Sequence, residues 1–359
     1  MKLYLNLAKH ILYHNLGWIP YPAICTYLIT WRCELNCFMC NIPGLQDKTE
    51  LDTQQAKALF EQFKGLDVVR ITGGEPFVRK DLEEIVEHIL THCGTSTVVL
   101  NTNGYQSQRI IEFARGFPSK KRGERGVSSP DFHYRVSLDG MGDRHDEIRG
   151  VKGAFERAKE TLEGLVRLRK EKGLCVGVNL TITRKNIDQI EPLQDFCQRL
   201  GLDLQYQVAR RDRHLYENYQ EGERQMELDL FDSFSQEEIE RIVECLSRDT
   251  KSFDFREGLV KRFFNEGLKN RLLYDKRQPD TPCVALTSHI RILPDGKVPI
   301  CIQSNTRVGD LTKEPLEELW FGQGIERYRK IVRECPGCWM PCDVIPSAIY
   351  TGSLFKAMI

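Results

Sequence analysis

Thirteen cysteines are the residues of this chain best suited to chemistry, and eight of them fall into two groups. Cys33, Cys37 and Cys40 stand in WRCELNCFMC, directly after the apolar run ICTYLIT. Three thiolates at that spacing can close on one face of a metal centre and leave a further coordination position open. On zinc that position takes water or substrate; on a [4Fe–4S] cube it is one iron free to hold a small molecule. The x3-then-x2 spacing, with no His beside it, suits zinc poorly. The second group is Cys283, Cys301, the pair Cys335 and Cys338, and Cys342. Its Cys-x2-Cys pair taken alone would suit structural zinc. The remaining Cys25, Cys93, Cys175, Cys197 and Cys245 stand singly and read as small buried hydrophobes.

Elements must hold these groups in place. Strands are expected at 24–30, 67–72, 97–102, 133–138, 175–181 and 203–208, with helices at 53–64, 81–92, 107–116, 153–171 and 187–199. The helices follow from apolar residues three and four apart, as in Leu82, Ile85, Val86, Ile89 and Leu90. Asp52 or Thr53 offers an N-cap, and Gly65, Gly94 and Gly173 follow helix ends. Six βα units in succession require parallel strands joined by crossover helices. An open partial barrel and a doubly wound sheet both satisfy that pattern. The basic, Gly- and Ser-rich stretch 118–131 reads as a surface loop. Residues 211–280 read as a charged helical linker, and from 281 short strands and turns take over, with a turn at Pro294-Asp295-Gly296.

The first cysteine group, with Phe38 ahead of its third thiol, resembles the signature of the radical SAM superfamily. Further motifs agree in strand order: Gly73-Gly74-Glu75-Pro76 after the second strand, Thr102-Asn103-Gly104 after the third, and Ser137-Leu138-Asp139-Gly140 after the fourth, running into HDEIRG. The second group, with Gly296 five positions before Cys301, resembles the SPASM or Twitch extension of that superfamily. Five of the seven cysteines of a full SPASM pattern remain, which implies one auxiliary [4Fe–4S] cluster. Cys283, Cys301, Cys335 and Cys338 are its implied ligands, with Cys342 either replacing one of them or lying free.

The resemblance implies an α/β fold, a partial (β/α)6 TIM-like barrel at 24–210. It also implies an extension at 1–23, a helical linker at 211–280, an iron–sulfur domain at 281–345 and a tail at 346–359. It implies three cofactors: a [4Fe–4S] cluster on Cys33, Cys37 and Cys40, S-adenosylmethionine on that cluster's open iron, and the auxiliary cluster. The reduced first cluster cleaves S-adenosylmethionine to a 5′-deoxyadenosyl radical, which abstracts hydrogen from substrate. Gly73 and Gly74 would admit the methionine amine, Glu75 would either anchor the motif or face that amine, Pro76 completes the motif, and Thr102, Asn103 and Ser137 would meet ribose or carboxylate. Asp139 either touches a ligand or caps a helix, and Arg149 and Asn179 are further candidates at the cofactor or substrate edge.

Charge and composition narrow the partners. Lys+Arg and Asp+Glu are both 51, so no global field draws nucleic acid or an anionic membrane. Residues 1–22 are too interrupted for a signal peptide, and no run spans a bilayer. A cytoplasmic setting with reduced thiols is expected, with a reductant such as flavodoxin or ferredoxin as a partner. Both termini read as helices packed on the body. About twenty residues precede the first strand, too few for the peptide-recognition domain often fused to peptide-modifying relatives. That favours oxidation of a small metabolite, with the auxiliary cluster as electron acceptor, over crosslinking or epimerisation of a peptide. A non-catalytic electron carrier or scaffold is the reading from another class. Arg210, Arg211, Arg213, His214 and Tyr216 are candidates for a substrate-facing cover.

Overall fold

Seven parallel strands form one sheet in the order β6-β5-β4-β3-β2-β1-β7. The computed structural model describes residues 2–45, 47–117, 131–209, 234–249, 255–304, 306–335 and 337–356. The strands are β1 (Ile24–Thr30), β2 (Val68–Gly73), β3 (Thr97–Thr102), β4 (Asp131–Ser137), β5 (Cys175–Ile182), β6 (Asp203–Val208) and β7 (His289–Ile292), followed by the small antiparallel pair β8 (Lys297–Pro299) and β9 (Arg307–Asp310). The helices begin with α1 (Lys2–Leu16), α2 (Thr53–Glu61), α3 (Leu82–Cys93), α4 (Ser107–Gly116), α5 (Asp143–Arg149), α6 (Ala154–Lys172) and α7 (Ile190–Leu200). They continue with α8 (Gln236–Arg248), α9 (Phe255–Tyr274), α10 (Leu316–Phe321), α11 (Glu326–Glu334) and α12 (Pro341–Tyr350).

The six expected strands and five expected helices of the first half are all present. The Arg and Tyr residues proposed at 210–216 lie outside the described residues, as does 118–130 of the basic stretch. Local sequence accounts for the boundaries. Asp52 caps α2 in a reciprocal box, accepting from Gln55 N at 2.8 Å while Gln55 Oε1 accepts from Asp52 N at 2.9 Å. Helix α3 stops at Gly94, whose φ of +58° suits a residue without Cβ. The last expected helix begins as a 3-10 turn, Ile187–Gln189, before α7.

Strands β3 and β4 alternate buried and half-buried positions along their length. Val98, Leu100, Phe132, Tyr134 and Val136 face the helices and join the main core, whereas Val99, Asn101, His133, Arg135 and Ser137 face a cavity. A parallel sheet covered on both faces would read apolar throughout; here the inner face is kept polar for an occupant. Strand β1, between β2 and β7, is the exception, buried at all seven positions.

The seventh strand comes from the far end of the chain. Thr26 on β1 pairs with Arg291 on β7, so the C-terminal cysteine region is built onto the core sheet. Helix α12 crosses the expected boundary between 345 and 346. Trp339 ties this region to α9: its Nε1 donates to the Phe264 carbonyl at 2.8 Å, and it stacks with Phe263 and Phe264. A Cβ on Gly267 would lie 1.8 Å from the indole, so only glycine fits there. At the N-terminus, α1 packs on the body as expected. Asn6 donates to Asp67 at 2.9 Å, and His10 hydrogen-bonds the Ser288 hydroxyl at 3.0 Å.

Candidate cofactor site

The loop bearing Cys33, Cys37 and Cys40 leaves β1 and is held by three other segments. The first is the end of β2. Gly73 has φ +127°, and a Cβ on it would lie 2.4 Å from the Thr30 carbonyl oxygen; on Gly74 it would lie 2.1 Å from that of Arg32. These glycines are therefore needed for close backbone approach, and Gly74 N and Glu75 N donate to those same two carbonyls at 2.7 and 2.8 Å.

Glu75 is wholly buried and turned away from the cavity. Its carboxylate accepts from Thr102 Oγ1 at 2.8 Å, Asn103 N at 2.6 Å and Phe77 N at 3.2 Å. Glu75 thus anchors the second segment, Thr102-Asn103-Gly104, and of the two roles open to it in the sequence this is the one the geometry displays. Burial, and after it Glu34, push its carboxyl up to about 8. Pro76 opens a buried 3-10 turn, and neither Glu75 nor Pro76 is on the cavity wall. Asn103 Nδ2 points at Cys33 Sγ across 3.7 Å.

The third segment is the end of α5. Asn36 N donates to the Arg149 carbonyl at 3.0 Å and Phe38 N to that of Ile148 at 3.2 Å. Gly150 follows with φ +71°, and a Cβ there would lie 2.3 Å from the Asn36 carbonyl oxygen. Arg149 reaches Cys37 Sγ at 3.6 Å and forms a buried ion pair with Asp139 at 2.7 Å. Burial opposes the Arg149 charge, but Asp139 with the Cys37 and Cys40 sulfurs overcomes it and holds the guanidinium above its usual range. Asp139 caps no helix: α5 begins after Gly142 without a side-chain cap. It instead aims Arg149 and accepts from Thr181 N at 2.9 Å.

Cys33, Cys37, Cys40, Gly73, Gly74, Thr102, Asn103, Ser137 and Asn179 all line one cavity of about 820 Å³. Asn179 Nδ2 donates to Asn101 Oδ1 at 3.3 Å, and its own Oδ1 is buried with no hydrogen-bond partner among the described residues. That amide oxygen is available to a bound group.

The second thiol group meets the same cavity through one member. Cys342 lines it, whereas Cys283, Cys301, Cys335 and Cys338 do not. The sulfurs of Cys301 and Cys335 accept backbone N–H bonds from the residue two further on, Gln303 at 3.3 Å and Gly337 at 3.4 Å. Cys33, Cys40 and Cys283 have the same arrangement with Leu35, Ile42 and Ala285. Cys342 differs. Its thiol donates to Asp343 Oδ2 at 3.2 Å, and Arg291 Nη2 approaches its sulfur at 3.7 Å. Asp343 is also bracketed by Arg291 and His289 at 3.3 and 3.5 Å.

The donor spacing fits a cluster better than a single ion. Among the described residues, no three thiols of either group bring their sulfurs within 4.8 Å of one another. Tetrahedral zinc, with Zn–S near 2.3 Å, would draw them to about 3.8 Å. Burial pushes Cys33 up to about 12 and Cys40 up to about 11; thiolates in that setting need a strongly cationic centre, as iron provides.

Sequence reasoning passed over several residues on these walls. Arg70, His133, Arg135 and Asp203 stand on the inner face of the sheet, and Glu257 reaches it from α9. The signal was available: charged residues at alternate positions of otherwise apolar parallel strands, as in VVRIT and HYRVS.

Comparison with known families matches residues 27–197 to the radical SAM superfamily and 283–339 to SPASM, an iron–sulfur cluster-binding domain. The chain belongs to the radical SAM superfamily and carries a SPASM domain, and with these come S-adenosylmethionine, its [4Fe–4S] cluster and an auxiliary iron–sulfur cluster.

More particularly, it is 32% identical over 197 residues to the Fe-coproporphyrin III synthase of Methanosarcina barkeri, covering 54% of this chain and 44% of that protein. It is 30% identical over 188 residues to the mycofactocin maturase MftC of Mycolicibacterium smegmatis, covering 51% and 43% respectively. The chain thus spans less than half the length of these curated relatives. Among solved structures, anSMEcpe with bound AdoMet and a peptide superposes with TM-score 0.59 at 15% identity, covering 88% of this chain and 84% of that one. SuiB of Streptococcus suis, bound to its precursor peptide SuiA, gives 0.57 at 16% identity, covering 91% and 71%. These two likenesses establish the fold, a partial barrel with an appended C-terminal unit. No described helix is long and apolar enough to cross a membrane.

Proposed function

We propose that the chain cleaves S-adenosylmethionine reductively and oxidises a small organic substrate held between its two thiol groups. One observation carries this reading: a single cavity is lined both by Cys33, Cys37 and Cys40 and by Cys342. Its volume of about 820 Å³ is in the range of enclosed small-molecule sites. When bound, the first cluster and S-adenosylmethionine supply the radical that abstracts hydrogen, and the auxiliary cluster supplies the sink for a second electron.

The protein's own part is orientation and exclusion of water. Cys33, Cys37 and Cys40 would hold the first cluster. Gly73 and Gly74 admit a ligand against bare backbone, and Glu75 locks the Thr102-Asn103 segment against the same loop. Asn103 and Arg149 place N–H groups toward Cys33 and Cys37, which stabilises thiolate charge and fixes sulfur orientation. Ser137 and Asn179 offer polar groups to the bound ligand from the ends of β4 and β5, where ligands of parallel α/β sheets collect. Cys283, Cys301, Cys335 and Cys338, half-buried and off the cavity wall, would hold the auxiliary cluster. A low-potential reductant such as flavodoxin or ferredoxin supplies the first electron, and a reducing compartment such as the cytoplasm suits chemistry of this kind.

The test is anaerobic reconstitution with iron and sulfide followed by assay for 5′-deoxyadenosine. About eight irons per chain and S-adenosylmethionine-dependent deoxyadenosine are expected. Full iron loading without any deoxyadenosine would make the chain a carrier or scaffold.

A further inference from the structure

The inner face of the sheet carries charge that the reading above leaves unused. In register, Arg291 on β7 neighbours Thr26 on β1, Thr26 neighbours Arg70 on β2, Arg70 neighbours Val99 on β3, and Val99 neighbours His133 on β4. Arg135 stands two residues further along β4. Neighbouring strands lie about 4.8 Å apart, so Arg70 on β2 and Arg135 on β4, with β3 between them, stand roughly 10 Å apart on one floor.

Their partners differ. Arg291 is matched by Asp343. Arg135 meets Glu257 only at 3.8 Å, beyond hydrogen-bond reach. Among the described residues, the hydrogen bond of the Arg70 guanidinium goes to a neutral acceptor, the Cys342 carbonyl, at 2.7 Å, and Arg70 forms no ion pair. His133, first by burial and then by the charges of Arg135 and Arg70, is pushed down to about 4 and stays neutral. It also forms a close group with Cys175 and Glu257, but two adjacent guanidinium groups disfavour a metal cation there. Gly177 completes the floor. A Cβ on it would lie 2.2 Å from Arg135 Nη1, so the glycine leaves a slot in which the guanidinium rests over β5. Asp203, beside Gly177 in register on β6, has a buried Oδ1 with no hydrogen-bond partner among the described residues.

A guanidinium set deep in a protein without a carboxylate costs several kcal/mol unless its counter-charge arrives from elsewhere. Arginine also favours planar, two-point recognition of carboxylate and phosphate. We propose that the floor of this cavity binds an anionic group of the substrate on Arg70 and Arg135, making the substrate a small acid, with a hydroxyl or amine of the same molecule donating to Asp203. This rests on the reading of the cavity as the substrate chamber and adds to it the class of substrate.

The experiment uses the full chain, anaerobically reconstituted and loaded with S-adenosylmethionine so that the cofactor's own carboxylate does not compete. Calorimetric titration with glutarate and, separately, inorganic phosphate distinguishes a carboxylate from a phosphate site. Saturable binding of at least one is expected, weakened about ten-fold or more by Arg70→Gln and by Arg135→Gln. Arg70→Lys, which keeps the charge, should recover part of the affinity and guards against misfolding in the Gln variants. Absence of saturable binding by either probe, or equal affinity in wild type and both Gln variants, overturns the proposal. So does a shift in the auxiliary cluster's midpoint potential in Arg70→Gln with no change in affinity, because the charge would then serve the cluster. Deoxyadenosine formation by the wild type, measured in the same preparation, tests the underlying reading separately.

Discussion

The two thiol groups solve the same coordination problem in opposite ways. Cys33, Cys37 and Cys40 lie on a loop whose shape is imposed from outside, by the glycines ending β2, by Thr102-Asn103 and by the Arg149-Gly150 step after α5. All three line the cavity. In the second group, Cys342 lines the cavity and the other four thiols do not. Three thiols facing a chamber suit a centre that must receive something; four thiols off its wall suit a centre that need only pass electrons. Sulfur hydrogen bonding, by contrast, is common to the two groups and sets only Cys342 apart. Cys33, Cys40, Cys283, Cys301 and Cys335 each accept an amide from two residues on, whereas Cys342 is engaged by Asp343 and Arg291 side chains.

The sharpest break in this comparison comes from removing ligands. Alanine at Cys33, Cys37 or Cys40 should abolish deoxyadenosine formation and lower bound iron from about eight to about four per chain, read by chromatographic product assay and iron analysis. Alanine at Cys283 or Cys301 should lower iron by the same amount yet leave uncoupled cleavage while product disappears. Product at the normal rate in those variants would remove the electron-acceptor role from the second group.

Next in size is the brace of the first group. Asp139→Asn leaves Arg149 charged and buried, a loss of about 3–5 kcal/mol. Chemical denaturation should show it, together with an altered first-cluster EPR signal and an unaltered auxiliary one. Gly150→Ala forces a left-handed residue against the Asn36 carbonyl; a loss above about 1 kcal/mol is expected, again with the first cluster more affected. The smallest effect on metal content is expected at Cys342. Cys342→Ser should keep about eight irons, and a fall to about four would place this thiol among the auxiliary ligands and reverse the contrast drawn above.

Much of the barrel was legible because each unit of it is local. The short apolar run in TVVLNT and the spacing of Leu82, Ile85, Val86 and Ile89 mark a strand and a helix without reference to distant chain. The cysteine spacing likewise announces its chemistry. What escaped the sequence depends on pairing across long separations. Nothing in HIRI says that it will sit beside Thr26. Asp343 reads as an ordinary residue in helix α12 until Arg291 and His289 are brought to it. The polar floor was overlooked for a related reason: Arg70 and Arg135 acquire meaning only when their strands are placed side by side.

The pairing of β1 with β7 also sets an order of events during synthesis. Until residues beyond Ile292 have left the ribosome, β1 presents an open edge of seven apolar and β-branched residues, ICTYLIT, with one neighbour missing. Such an edge is a template for wrong partners, and incomplete domains of this size are prone to aggregate. A chain cut back to its first six strands would keep the first thiol group but retain that open edge. The auxiliary region is thus the lid on the sheet as well as the site of a second cluster, and truncations meant to isolate the radical chemistry should be judged first by whether they stay in solution.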